Sequence, residues 1–285
     1  MALLPSFPGC GSFPDLQLGD HACLPVGSDA ERLSGIAGVA GLGLRSGGKV
    51  AVFTGTETPD EMAAYLAARA PGARSALAAG QLGVLDCQDF YLAGGAFDPA
   101  HTVARYIAQI ELAEEQGYAG LWIVVDMAWA LSRLPGTDML LDYEAEANPG
   151  FADHRVAAVC VYDRSRFCPV LLEKVCSAHP LTPGQAPLRF ARTTDPPGLA
   201  LSGEVDLTNH LAFSALLTAL QPAPGHITID ATGLRFADLR AADLLWAASC
   251  ARAPGATTIT GSPLVNRLLE LVGNSRSATG GQSDA

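Results

Sequence analysis

No apolar run in the sequence approaches the ~20 residues that a membrane-spanning helix needs. The longest candidate, "GLWIVVDMAWAL" at 120–131, is short and broken by Asp126. Positive charge is also scarce, with 18 Lys and Arg against 29 Asp and Glu and a formal net charge of -11. That balance excludes a nucleic-acid footprint, which needs a basic face, and docking to an anionic membrane surface. The seven cysteines include no CxxC pair and no zinc-ribbon spacing, so buried reduced thiols are expected. No HxxxH or comparable pair occurs either, and no metal is expected from the local spacing. The opening "MALLPSFPGCGSFPD" lacks a basic n-region and carries prolines through its apolar part. It is a poor signal peptide, and the expected compartment is the cytoplasm. No internal repeat is visible.

What is present is ample core material: 49% of the 285 residues are hydrophobic and only 16% are charged. The first half alternates strand and helix. "HACLPV" precedes Ser28-Asp29 as an N-cap, and "KVAVFTG" is the continuous apolar type buried in parallel sheets. Thr58, Pro59, Asp60 and Glu61 make a strong helix start. Pro99 opens a long helix that Gly117 closes, and "GLWIVVDM" and "RVAAVCVYD" are further strands, with a helix near 139–147 between them. The βαβα order implies an α/β fold with a mostly parallel sheet and helices on both faces. "SAHPLTPGQAPL" packs three prolines and a glycine into the best boundary of the chain, placed at 181–187. Beyond it, "LRFART" and "GLALSGEVDL" form a hairpin around "TDPPG". Helix 209–220, strand 226–230, helix 241–252, strand 256–260 and helix 263–272 follow, and the polar tail from 274 to 285 is expected to be disordered.

The C-terminal stretch "LSGEVDLTNHLAFSALLTAL … ITIDATGLRFADLRAADLL … TTITGSPLVNRLLELVG" resembles a STAS domain, the fold of anti-sigma factor antagonists, over residues 187–273. Its specific parts are Gly203-Glu204-Val205-Asp206 and Asp230 followed by Phe236-Ala237-Asp238. The resemblance implies an anti-sigma factor or related signalling protein as partner, met through Asp206, Asp230, Asp238, Leu239 and Arg240. In partner-switching members a serine follows the Asp at the position of Leu239, and its phosphorylation abolishes docking. Leu239 has no hydroxyl, Thr232 lies too far upstream, and Arg240 adds bulk and charge where the family has a second serine. Phosphoregulation at that position is therefore excluded, while docking is not.

The N-terminal stretch from "LGDHACLPVGSDAERL" to "DEMAAYL", with "GLWIVVDMAWAL", "YEAEAN", "VAAVCVYDRSRF" and "SAHPL", resembles a MEDS domain over residues 15–181. That family, named from methanogen, methylotroph and dichloromethane regulators, is thought to sense small hydrocarbon-derived ligands. The resemblance implies a RecA/KaiC-like parallel sheet. A phosphate cradle needs glycines and a Lys-Ser/Thr pair. After its first strand this chain has "VGSDAERL", with one glycine, no lysine and two acids, so nucleotide hydrolysis is not expected.

Open α/β sheets bind ligands at the carboxyl edge of their strands. His21, Cys23, Glu57, Asp126, Trp129, Tyr162 and Asp163 all lie on or near strands, with Glu144 on an intervening helix. They suggest a small-molecule pocket with Trp129 and Tyr162 as walls and carboxylates for orientation. The plainer alternatives are a local hydrogen bond for His21, core filling for Trp129 and helix capping for His179. The leading expectation is a non-enzymatic cytoplasmic regulator in which a ligand-sensing domain biases a partner-binding domain. Two rivals stay open: a residual nucleotide hydrolase on a degenerate P-loop fold, and a structural scaffold in which the second domain only forms a homodimer. The identity of any cofactor is left unknown.

Overall fold

The computed structural model describes residues 15–280. The N-terminal stretch weighed as a signal peptide, with Cys10, lies outside the described residues. Among the described residues no helix is long and apolar enough to cross a membrane.

The first half runs β1 (His21–Val26), α1 (Asp29–Arg45), β2 (Lys49–Thr54), α2 (Pro59–Arg69), α3 (Ala73–Ala78), β3 (Leu82–Asp86), α4 (Cys87–Tyr91), α5 (Pro99–Glu115), β4 (Leu121–Asp126), α6 (Leu140–Ala147), β5 (Val156–Asp163) and α7 (Pro169–Ser177). Its five strands are all parallel, in the order β1-β5-β4-β2-β3. Alternation along the strands divides the core in two. Leu24, Val52, Val124 and Val159 face one side with Ile36, Met62 and Leu66 of α1 and α2. Cys23, Phe53, Val125, Cys160 and Tyr162 face the other, beneath α4 to α7. Helix starts follow the local chemistry. Ser28 caps α1, and Thr58 with Glu61 forms a capping box at α2, whose first residue is Pro59.

The second half adds β6 (Leu188–Thr194), β7 (Pro197–Val205), α8 (His210–Ala219), β8 (Ile227–Ala237), α9 (Leu239–Cys250), β9 (Thr257–Gly261) and α10 (Pro263–Gly280). Its sheet runs β6-β7-β8-β9, with the expected β6/β7 hairpin antiparallel and the other pairs parallel. Gly203 sits at φ +93°, and a Cβ there would come within 2.0 Å of the Pro187 carbonyl, so only glycine fits.

Two expectations are corrected. The segment after Asp230 is strand rather than loop, because β8 continues to Ala237 by pairing across an irregular register with β7. The tail does not begin at 274: α10 runs to Gly280, extending a helix seated by Val265 and Val272. Adding residues to a formed helix is far less costly than nucleating one. Residues 281–285 lie outside the described chain.

The two halves share one apolar core. Phe213, Leu216 and Leu217 of α8 belong to the cluster beneath α4 to α7, and α8 packs against α6, α7 and the 3₁₀ turn Asn148–Phe151. Arg189 on β6 pairs with buried Asp20 at 2.9 Å, and the Arg192 N–H donates to the Ala152 carbonyl.

Candidate functional site

Strand register builds a polar cluster inside the first domain. His21 and Cys23 of β1 pair with Ala158 and Cys160 of β5, so the period of two turns His21, Cys23, Cys160 and Tyr162 onto one face. Over that face α6 brings Glu144, the turn after it brings Asn148, and the end of α7 brings His179. Every one of these seven residues is buried.

Glu144 is the hub. Its Oε1 accepts from the Tyr162 hydroxyl at 2.6 Å, while Oε2 lies 3.4 Å from both His21 Nε2 and His179 Nε2. Cys160 Sγ is 3.6 Å from His21 Nε2 and 3.8 Å from Glu144 Oε2. Each ring is oriented from behind. His21 Nδ1 donates to Asn148 Oδ1 at 3.0 Å, and His179 Nδ1 donates to the Val175 carbonyl at 2.7 Å. Asn148 is itself anchored to the Ala178 and Ala145 carbonyls at 2.8 Å. Phe151 stacks on the His21 ring with centroids 4.6 Å apart.

Burial opposes ionisation of Glu144, yet the His179 and His21 imidazoles beside it hold its carboxyl well below the usual carboxylate range. Burial also works against protonated His179, but the Glu144 carboxylate outweighs it and raises that imidazole. Burial, with His179 as neighbouring charge, lowers His21. The Glu144 charge thus favours the protonated form of His179, while burial favours the neutral form of His21. Burial and the Glu144 charge push the Cys160 thiol up. Cys23 Sγ lies 3.5 Å from Cys176 Sγ, and that hydrogen bond draws the Cys176 thiol down to about 7.

The cluster borders a cavity of about 330 Å³. His21, Glu144 and Cys160 line it together with Tyr91, Tyr106, Ile110, Ile123, Val125 and Tyr143, and Glu146, Asp153 and Arg155 add charged groups to its wall. Helix α5 roofs it loosely, fully burying only Thr102 and Ala113, with Val103 and Ile107 at 40% and 48% exposure on the rim.

The other expected site residues do not join this cluster. Glu57 and Asp126 lie at the carboxyl edge of the sheet, where Arg32 of α1 holds both. Its Nη1 is 3.0 Å from Asp126 Oδ2 and 2.9 Å from Glu57 Oε2. Asp126 also accepts from Thr56 Oγ1 at 2.9 Å and from the Ala128 N–H at 3.0 Å. The hydrogen bonds to Glu57 raise the Arg32 guanidinium further still. Trp129 packs against Tyr91 at 4.3 Å between centroids and is 1% exposed, a core role rather than a pocket wall. Asp163 turns the chain by accepting from the Ser165 N–H and hydroxyl. The eight expected residues are thus split: His21, Cys23, Glu144 and Tyr162 meet, joined by Cys160, Cys176, Asn148 and His179, which sequence reasoning had not placed there. The meeting point is the face of the sheet, not its edge.

In the second domain, Asp206 holds the turn after β7 and Asp230 lies within β8, each accepting from the backbone and hydroxyl of the threonine two residues on. Asp238 is the N-cap of α9, accepting from the Ala241 N–H at 2.7 Å. Leu239 follows at 57% exposure, at the same end of the sheet as Phe236 and Leu207, at 44% and 62%. Arg240 is exposed beside it.

Comparison with known proteins agrees with this division. A family model described as MEDS, the MEthanogen/methylotroph, DcmR Sensory domain, matches residues 20–180. A second, described as Mlab, STAS domain, matches residues 188–276. No curated protein matches the chain. Among solved structures, the flagellar accessory protein FlaH from Methanocaldococcus jannaschii is similar over 69% of this chain and 82% of that one, at 10% identity and a TM-score of 0.40.

Proposed function

We propose, for a chain that belongs to the MEDS sensory-domain family and carries a STAS domain behind it, that the first domain senses a small, mainly apolar molecule and the second reports it to a protein partner. The domain pair gives a signalling or regulatory role at the family level; the ligand, the partner and the coupling are the proposal. The carrying observation is the cavity: about 330 Å³, apolar over most of its wall, with His21, Glu144 and Cys160 among its polar lining. That volume suits a small molecule, and a few convergent polar groups in an apolar wall are what fix a ligand's orientation.

The packing supplies a route to the output. Glu144 on α6, Phe151 in the following turn and His179 after α7 stand on the three elements that pack against α8. A ligand that shifts the cluster moves the support of α8, and it acts only by its differential affinity for the two arrangements. The output surface is the exposed end bearing Leu207, Phe236 and Leu239, which would dock an anti-sigma factor or related signalling protein in the cytoplasm. Control by serine phosphorylation is replaced, since Leu239 offers no acceptor. The protein is read as a non-enzymatic regulator, and the ion pairs of Arg32 support this by occupying the turn where a nucleotide phosphate would have to sit.

Calorimetric titration with benzene and with dichloromethane tests the sensor. Binding that stabilises the wild type, by ~2.7 kcal/mol at a hundred times Kd, and that Ala158→Leu abolishes by filling the cavity is expected. Binding unaffected by that substitution would place the ligand elsewhere.

A further inference from the structure

The buried cluster that borders the cavity brings four possible metal donors together. His21 Nε2, Glu144 Oε2, Cys160 Sγ and His179 Nε2 converge from four separate elements, all within 4.8 Å of one another. Tetrahedral zinc, with bonds of ~2.0–2.1 Å to nitrogen and oxygen and ~2.3 Å to sulfur, sets its ligands ~3.3 Å apart for nitrogen and oxygen and ~3.6 Å apart where sulfur is one of the pair. Four of the six separations are 3.4, 3.4, 3.6 and 3.8 Å, and the two between His179 and the His21 and Cys160 donors lie within 4.8 Å.

Three further observations point the same way. His179 Nε2 is completely buried, lies 3.4 Å from Glu144 Oε2 and meets no acceptor in hydrogen-bonding geometry. Both imidazoles spend Nδ1–H on an oxygen acceptor behind them, Asn148 Oδ1 and the Val175 carbonyl, which fixes the tautomer that offers Nε2 as a ligand. Tyr162 likewise donates to the distal Glu144 oxygen and leaves the other free to bind. One carboxylate and one thiolate would cancel the charge of a divalent cation, so the filled site would bury no net charge.

We propose that His21, Glu144, Cys160 and His179 bind one divalent transition-metal ion of the zinc type. The mixed imidazole, thiolate and carboxylate set suits zinc and disfavours magnesium and calcium, which take oxygen ligands. As the ion enters, the Cys160 thiol gives up its proton, as does any imidazole that carries one on Nε2, and the released protons leave to solvent. The cavity gives the access route, because three of the four ligands line it. The metal site stands whether or not the cavity takes an organic ligand, and its test is separate.

The test uses the full chain, freed of metal by chelator and loaded with zinc(II) or cobalt(II). Elemental analysis is expected to find about one zinc per chain, and the cobalt form a thiolate-to-cobalt charge-transfer band with tetrahedral visible bands. Cys160→Ser removes the charge-transfer band, Cys176→Ser and Cys87→Ser keep it, and Asn148→Ala weakens zinc binding roughly 10–100-fold. A cobalt-loaded wild type without a charge-transfer band overturns the proposal and needs no variant to fold. So does a band that survives Cys160→Ser, or zinc that fails to compete with a weak chromophoric chelator.

Discussion

Arg32→Met breaks the buried ion pair at the sheet edge while keeping the side chain's apolar stem. Arg32 and Asp126 are both 3% exposed, whereas the Glu57 side chain retains 23% exposure. Glu57 rehydrates when the guanidinium goes, and its share is small, as for other accessible pairs. Asp126 does not; it keeps its bonds from Thr56 and the Ala128 N–H but becomes an uncompensated buried carboxylate. Removing one partner of a buried pair costs ~3–5 kcal/mol, and the two surviving bonds place this case at the lower end, about 3 kcal/mol. At ~2–4 °C per kcal/mol for domains of this size, Tm falls by ~6–12 °C. Urea denaturation and calorimetry of wild type, Arg32→Met, Asp126→Asn and the double variant form a cycle. The double variant is expected to regain most of the loss, because its neutral amide no longer needs the cation. A loss under ~0.5 kcal/mol in Arg32→Met, or a double variant no better than the single, would refute the reasoning.

Tyr162→Phe leaves Glu144 Oε1 without its 2.6 Å donor; urea denaturation is expected to show a loss of ~1–3 kcal/mol. Asp238→Ala removes the N-cap of α9 and costs ~1 kcal/mol, read from the thermal unfolding of the second domain. Leu239→Asp places charge on the exposed docking end; pull-down with anti-sigma factor kinases is expected to lose the partner while Tm stays put, and those kinases label Leu239→Ser but not the wild-type loop.

Where local chemistry decides, the sequence was legible. The Thr58-Pro59 helix start and the "TDPPG" hairpin each rest on neighbouring residues, and each is found in place. The extension of β8 was not legible, because "ATGLRFA" is held as strand by β7, a partner about thirty residues away. The site was half legible. His21, Cys23, Glu144 and Tyr162 stood out as polar or reactive residues in apolar surroundings. His179 looked like a helix-end residue before Pro180, and indeed its Nδ1 does bond a carbonyl of α7; only the fold reveals its other nitrogen facing Glu144. Cys160 and His21 are 139 residues apart and meet through strand register, so no local ligand spacing could announce the donor set. Arg32 had a signal that was passed over: a lone cation in the acidic turn "GSDAER".

Occupation of the first domain's cavity is expected to be felt by the second domain through α8. Hydrogen–deuterium exchange of the full chain with and without saturating benzene measures this directly. Slowed exchange is expected in α6, in the turn 148–151 and in α8, with Ala158→Leu giving the same pattern without the probe. Protection confined to α5 and α6, with α8 unchanged, would contradict it.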